Sequence, residues 1–212
     1  MLKKFISKSP VLFFLAKKIL LKYRQLGSVS KWNNLKKTDE INLELGSGPK
    51  RGTNGWTTID TEFADINWDL RRGIPLPDES VNKIYSSHLL EHMPYEELLR
   101  FLFECRRVMK TGGEFLVSVP NFRLYIDAYK DGKDFKDRDI WYKPAHVDTG
   151  SAMDQLNYII YMKDQHKYMF DEVNLLNLLR KAGFSNVQLR DFNPALDSIE
   201  RDFESIYATA HK

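Results

Sequence analysis

From Ile41 onward, short runs of apolar and β-branched residues alternate with longer stretches in which apolar residues recur every three or four positions. The first pattern is typical of buried strands and the second of amphipathic helices. Because the two kinds of segment alternate along the chain, we expect a mostly parallel sheet with helices on both faces. The strands are predicted over six ranges: Ile41–Leu45, Thr57–Asp60, Lys83–Ser87, Glu114–Val119, Val187–Asp191 and Ser205–His211.

Two of the helices have clear signals at their ends. A helix over Tyr95–Val108 follows a proline, and a helix over Asp171–Ala182 is stopped by a glycine. The glycines of Lys110–Gly113 predict a tight turn before the fourth predicted strand. The stretch Asn121–Lys167 is too long and irregular for a simple connection, so we expect short helices there that cover a site.

Small and acidic residues follow the predicted strands where a ligand would be expected. The first strand leads into Gly46-Ser47-Gly48, and glycine allows a backbone to approach a ligand closely. Asp60 closes the second strand, where a carboxylate can accept both hydroxyls of a ribose. Asp69, followed by Leu70, lies where a third loop could hold an adenine. Since open parallel sheets bind ligands at the carboxyl ends of their strands, these residues predict one nucleoside-like cofactor site.

A nicotinamide or flavin dinucleotide is the nearest alternative cofactor for this loop. The dinucleotide motif requires a third glycine where this chain has Arg51, and Pro49 interrupts the expected start of the helix. The spacing from Gly48 to Asp60 is also short for that motif. We therefore exclude a dinucleotide site.

The run from Ile41 to Asn121 resembles the core of the class I S-adenosylmethionine-dependent methyltransferases, close to their methyltransferase 11 type. Its ordered motifs are more specific than one glycine pattern. They are Glu44–Gly48 for the acidic-x-Gly-x-Gly motif, Ile59-Asp60 for the ribose acid, Trp68-Asp69-Leu70 for the adenine loop, Ser86–His92 for the end of the next strand and Arg106–Gly113 for the following turn.

The resemblance implies a Rossmann-like, doubly wound α/β fold with a mostly parallel seven-stranded sheet and an antiparallel C-terminal strand. It also implies S-adenosylmethionine as the methyl donor. The cofactor contacts that we expect are Glu44, Gly46, Ser47, Gly48, Asp60, Thr61, Asp69, Leu70, Ser87 and His88.

The acceptor is harder to predict than the donor. We expect a small molecule or a glycan methylated on oxygen, and the glycan rests on the association of similar proteins with polysaccharide biosynthesis. A hydroxyl acceptor needs a base, and the candidates are His88, His146 and His166. The alternatives are a lipid or quinone acceptor at a membrane surface, and a non-catalytic module that only binds the cofactor.

Metal binding is not expected from the sequence. His88, Glu91 and His92 have a spacing that would put them on one face of a helix, but Glu91-His92 is more simply the capped start of that helix. Cys105 is the only cysteine, so an intramolecular disulfide and a cysteine-cluster metal site are excluded.

Charge divides the 212-residue chain into two parts. Residues 1–37 contain ten lysines and arginines and no acid, and they predict a basic amphipathic helical segment. Residues 38–212 have 22 basic and 29 acidic residues and form the predicted methyltransferase domain, with a substrate-covering insertion at about 122–167. This net-acidic body argues against nucleic-acid partners. We expect a cytoplasmic protein in which the basic segment either packs on the domain or contacts the inner membrane face peripherally.

Overall fold

The computed structural model describes residues 27–132, 147 and 149–212. In this part of the chain, seven strands form one sheet in the order β3-β2-β1-β4-β5-β7-β6. The strands are β1 (Asn42–Leu45), β2 (Trp56–Asp60), β3 (Ile66–Asn67), β4 (Val81–Ser87), β5 (Met109–Pro120), β6 (Ser185–Leu189) and β7 (Ser205–His211).

The directions of the strands confirm the predicted fold class. The pairs β1–β2, β1–β4, β2–β3 and β4–β5 are parallel, whereas β7 runs antiparallel to both β5 and β6. The sheet is therefore mostly parallel with one antiparallel C-terminal strand. The chain reverses its strand order on the two sides of β1 and β4, which is where doubly wound sheets open a ligand crevice.

The core explains why these segments form strands and helices. Strand β1 places Leu43 and Leu45 on the fully buried side, and α1 (Tyr95–Val108) buries Leu98 and Leu102 at helical spacing. Burial of an aliphatic side chain of this size contributes about 1.5–3 kcal/mol. The predicted bounds of α1 are confirmed, and α4 (Glu172–Lys181) is one residue shorter at each end than predicted, with Asp171 as its N-cap.

Strands β4 and β6 begin two residues earlier than predicted, and two larger features of the sheet also differ from the sequence prediction. Strand β3 was not predicted, because two residues are too few to carry an alternating pattern. Strand β5 begins at Met109 instead of Glu114, so the expected turn at Lys110–Gly113 lies inside the strand as an irregularity. Val81 pairs with Met109 and Lys83 with Glu114, which inserts extra residues into β5 between the two pairs.

The predicted covering insertion contains two short helices, as expected. Helices α2 (Phe122–Lys130) and α3 (Met153–Tyr161) pack on each other through a small apolar cluster formed by Phe122, Tyr125, Leu156 and Ile159. Part of the insertion, including the predicted candidate His146, lies outside the described residues.

Most of the predicted basic N-terminal helix lies outside the described residues, but its end packs on the sheet. Residues 27–35 are helical, and the buried Trp32 ring contacts Trp68 edge-to-face at 6.1 Å between centroids. Ser28 Oγ donates to the carbonyl of Asn67 at 2.9 Å and accepts from its amide at 3.1 Å. Among the described helices, none is long and apolar enough to cross a membrane.

Candidate functional site

The loop after β1 is shaped by its two glycines. Gly46 and Gly48 both have positive φ, and a Cβ on Gly46 would lie 2.8 Å from side-chain atoms of Leu89. The Gly46 amide donates to the carbonyl of Ile59 at 2.9 Å, which ties the loop to the end of β2. A side chain at position 46 would therefore collide with Leu89 and force the loop out of this conformation.

Asp60, the last residue of β2, holds this loop in place. Its Oδ2 accepts from the Gly48 amide at 2.9 Å, and its Oδ1 accepts from the amide and hydroxyl of Thr61 at 2.6 and 3.1 Å. A carboxylate offers about four lone-pair sites, so about one remains free and a second is released if the Thr61 hydroxyl turns away. Asp60 can thus accept one or two hydroxyls from a ligand without losing the loop.

Glu44 lies on the other side of the loop, within β1. Its carboxylate forms an ion pair with Lys50 at 2.5 Å, and its side chain is 12% exposed. Burial raises the pKa of Glu44 above its usual range, although Lys50 acts in the opposite direction. The pair places one negative and one positive group at the mouth of the loop.

The third predicted acid, Asp69, caps a short 3-10 helix at Leu70–Arg72. Its carboxylate accepts two hydrogen bonds from the Arg71 guanidinium, at 2.9 and 2.8 Å, and one from the Arg71 amide at 3.1 Å. The Arg71 guanidinium holds the pKa of Asp69 below its usual range. Asp69 is thus already paired, and Trp68 beside it offers an apolar wall.

Two cavities meet at the carboxyl end of the sheet. The smaller, of about 310 Å³, is lined by Gly46, Asp60, Thr61, Trp68, Asp69, Leu70, Arg71, Leu89, His92, Met93, Pro94, Glu97 and Lys167. The larger, of about 690 Å³, is lined by Glu44, Gly46, Ser47, Gly48, Pro49, Lys50, Asp60, Thr61, Tyr85, Ser87, His88, Leu89, His92, Gln165, Leu196, Ser198 and Arg201. All ten predicted cofactor residues line one cavity or both, which brings them together as a single cleft of ligand size.

His88 lies in the larger cavity, directly after β4. It has a positive φ of 50°, and its ring Nε2 is 2.8 Å from Ser205 Oγ. Burial lowers the pKa of His88 to about 3, so the ring is neutral near neutral pH. Its other ring nitrogen, Nδ1, lies 3.6 Å from a carboxylate oxygen of Glu91. Both ring nitrogens thus face protein atoms.

His166, the other described candidate base, does not line either cavity. It is buried beside Phe122, and its Nδ1 is 2.5 Å from the carbonyl of Ile159. Burial lowers the pKa of His166 to about 4. Its ring instead contacts His92, which lines both cavities and which was considered only as a helix cap or metal ligand from the sequence.

The far wall of the larger cavity comes from the segment between β6 and β7, which sequence reasoning missed. Asp197 is buried there and forms a two-point ion pair with Arg190, at 2.6 and 2.8 Å. It also accepts from the Tyr85 hydroxyl at 3.1 Å, which fastens the segment to β4. Neighbouring Arg201 extends an exposed side chain at the cavity. The sequence contains little indication of this role, because a single acid and a single arginine in a loop are usually exposed to solvent.

Comparison with known proteins agrees with this geometry. The family described as "Methyltransferase domain" matches residues 43–117, from β1 through most of β5. A relative from Mycolicibacterium smegmatis, named "Probable S-adenosylmethionine-dependent methyltransferase", is 42% identical over 57 residues. That match covers 25% of this chain and only 21% of the relative's length.

The fold itself is similar to that of a solved "SAM dependent methyltransferase" from Archaeoglobus fulgidus. The TM-score is 0.50 at 16% identity, over 89% of this chain and 94% of the other. Because only 16% of the residues are identical, this similarity shows the fold alone, and it agrees with the strand order described above.

Proposed function

We propose that the chain moves a methyl group from S-adenosylmethionine to an oxygen of a small molecule or glycan, because residues 43–117 match the family described as "Methyltransferase domain" and the related protein is named as S-adenosylmethionine-dependent. The observation that carries the proposal is the single cleft in which the glycine loop and Asp60 continue into a second, polar cavity. One part suits a nucleoside and the other leaves room for an acceptor.

In this proposal the donor lies along the edge of β1 and β2. Asp60 accepts the ribose hydroxyls, Trp68 and Leu70 flank the adenine, and the backbone of Gly46–Gly48 approaches the methionyl part. Lys50, paired with Glu44, is placed to attract the methionyl carboxylate. Asp69 acts mainly through Arg71, since its carboxylate is already paired.

A polar acceptor fits the larger cavity better than an apolar one. Its walls carry the Tyr85 hydroxyl, Ser198 and the guanidinium of Arg201. Methyl transfer from a sulfonium depends chiefly on holding the acceptor atom in line at short range, which can supply about 7–11 kcal/mol. Hydrogen-bonding walls of this kind would orient a sugar or another hydroxylated molecule.

Calorimetry and product analysis test the proposal together. We expect the full-length chain to bind S-adenosylmethionine and to transfer a labelled methyl group to hydroxylated acceptors, identified by mass spectrometry in a panel of nucleotide sugars, oligosaccharides, quinols and phospholipids. Asp60→Ala should weaken cofactor binding strongly and lower methyl transfer with it, whereas Asp191→Ala, at an exposed acid that lines neither cavity, should preserve both. No cofactor binding at millimolar ligand would refute the proposal. Binding without any transfer would favour the non-catalytic module.

A lipid or quinone acceptor at the inner membrane face is the second candidate, and the basic segment 1–37 favours it. Replacement of Lys17, Lys18, Lys22 and Arg24 by glutamine removes four charges, each worth about 1 kcal/mol near an anionic surface. We expect this variant to lose co-sedimentation with vesicles of anionic phospholipid if the segment docks on membranes. If both proteins bind the vesicles equally and negligibly, the proposal of a cytoplasmic enzyme that acts on a small molecule or glycan remains.

A further inference from the structure

Three potential metal ligands meet where the 3-10 helix Leu90–His92 packs against the segment after α3. One carboxylate oxygen of Glu91 and one ring nitrogen each of His92 and His166 lie within 4.8 Å of one another. Backbone hydrogen bonds hold the two segments together, because the amides of Lys167 and Tyr168 donate to the Glu91 carbonyl at 2.7 and 3.1 Å. The cluster is thus built into the fold.

The hydrogen bonds of the two imidazoles determine which nitrogen is free. Nδ1 of His92 is 3.1 Å from the carbonyl of Gln165, and Nδ1 of His166 is 2.5 Å from the carbonyl of Ile159. A carbonyl oxygen only accepts, so both Nδ1 atoms carry the proton and both Nε2 atoms keep a lone pair. Metal-binding histidines have this arrangement, in which the second nitrogen donates to a carbonyl or carboxylate.

The Glu91 carboxylate is buried, and one of its two oxygens has no hydrogen-bond partner among the described residues. Its side chain is 1% exposed, and Oε2 has no hydrogen-bond partner in this part of the chain. Oε1 lies 3.8 Å from His92 Nε2 and 3.6 Å from His88 Nδ1, both beyond hydrogen-bond distance.

His88 faces the cluster with a ring nitrogen that accepts a hydrogen bond, and not with an N–H that donates one. The Ser205 hydroxyl donates to the carbonyl of Arg201 at 2.7 Å, so it accepts from His88 Nε2. The Nδ1 of His88 that faces Glu91 is therefore the nitrogen with the lone pair. Several acceptors converge here, an arrangement that is costly in a protein interior unless a proton or a metal cation is shared between them.

We propose that Glu91, His92 and His166 bind one divalent transition-metal ion, with zinc the best match. Two imidazoles and one carboxylate form a known type of zinc site that keeps an open position. Ligand atoms about 2.05 Å from tetrahedral zinc lie about 3.3 Å apart, so binding draws the three side chains together. His92, one of the three ligands, lines both cavities, so the site lies beside the cleft. The inference does not rest on the proposed methyl transfer.

Zinc titration of the untagged full-length chain tests the site. We expect one zinc ion per chain by calorimetry, with affinity lowered at least tenfold in Glu91→Gln and in His166→Gln, since even outer partners of ligands change affinity about 10–100-fold. His211→Gln is the matched control, because His211 lies at the opposite end of β7 from Ser205. Cobalt(II) provides a second readout through visible absorption bands that both ligand variants should lose.

Two results would overturn the proposal. The first is that the unmodified chain binds no zinc, which would mean that Glu91 and the histidines share a proton and not a metal ion. The second is zinc binding that Glu91→Gln and His166→Gln leave unchanged, which would place the ion elsewhere. If either variant fails to fold, His92→Gln, with a side chain 35% exposed, tests the same prediction with less disturbance of packing. S-adenosylmethionine affinity, measured in parallel, reports separately on the proposed function.

Discussion

Replacement of Asp60 provides the sharpest test of how the cleft binds its donor. The carboxylate ends β2, accepts hydrogen bonds from Gly48 and Thr61, and lines both cavities. Asp60→Asn keeps one carbonyl oxygen for the loop but removes the charge, whereas Asp60→Ala removes every acceptor. The two variants therefore separate support of the loop from binding of the ribose.

The expected loss follows from the hydrogen bonds that the carboxylate can offer. A hydrogen bond to a charged group contributes about 1.5–3 kcal/mol, so two ribose contacts amount to at least about 3 kcal/mol. Since about 1.4 kcal/mol corresponds to a tenfold change in Kd, we expect Asp60→Ala to weaken S-adenosylmethionine binding by about 100-fold or more. The second contact requires the Thr61 hydroxyl, 3.1 Å from Oδ1, to turn away.

Isothermal calorimetry on wild type, Asp60→Asn, Asp60→Ala and the control Asp191→Ala measures these affinities, and thermal unfolding checks that each variant folds. Asp60→Asn should retain more affinity than Asp60→Ala because it still supports the Gly48 amide. A loss of less than about tenfold in a folded Asp60→Ala protein would refute the ribose role. An equal loss in Asp191→Ala would show that net charge, and not position, is responsible.

Three further predictions follow from the geometry. Gly46→Ala should destabilise the fold by more than about 1 kcal/mol and weaken cofactor binding. The alanine would have to adopt a positive φ, and its Cβ would lie 2.8 Å from Leu89. Arg107 lowers the pKa of Glu104, so the ion pair should stabilise the fold above the unfolded pKa of about 4.5 and lose this effect as pH falls through the lower folded pKa. Glu104→Gln should therefore reduce the dependence of the unfolding free energy on pH in acid. Cys105 is fully buried with a raised pKa, so a thiol reagent should label the chain only at the rate of unfolding.

Each of these predictions has an internal comparison. Gly112 has a similar positive φ but open space around it, so Gly112→Ala should show the backbone strain without the clash. If it costs as much as Gly46→Ala, the contact with Leu89 is irrelevant. If the unfolding free energies of wild type and Glu104→Gln change equally with pH in acid, the ion-pair argument is contradicted. Rapid labelling of the native protein would contradict the burial of Cys105, since the chain has no other thiol.

The sequence was informative wherever one element carried its own pattern. The bounds of α1 and the cap of α4 at Asp171 follow from local signals, as do the glycine loop and the acid that ends β2. Strand β3 and the irregular start of β5 could not be predicted, because a two-residue strand has no period and a register shift depends on the partner strand.

The larger cavity, which we propose holds the acceptor, depends on contacts between distant segments, which one sequence does not reveal. His166 was predicted as a base, but tertiary packing buries it beside His92 and Glu91 instead of exposing it to the larger cavity. Arg201 reaches that cavity only because Asp197 anchors its segment to β4. A lone arginine in a loop carries no local signal of such a position.

The anchor at Asp197 also bears on how proteins of this shape could diversify. The ion pair with Arg190 and the hydrogen bond from Tyr85 fix the course of the backbone, while the side chains at Leu196, Ser198 and Arg201 face the cavity without supporting the sheet. If the larger cavity holds the acceptor as proposed, substitutions at these three positions alter acceptor preference while the donor loop between β1 and β2 keeps its geometry. Selection can thus act on the wall between β6 and β7 without acting on the loop after β1.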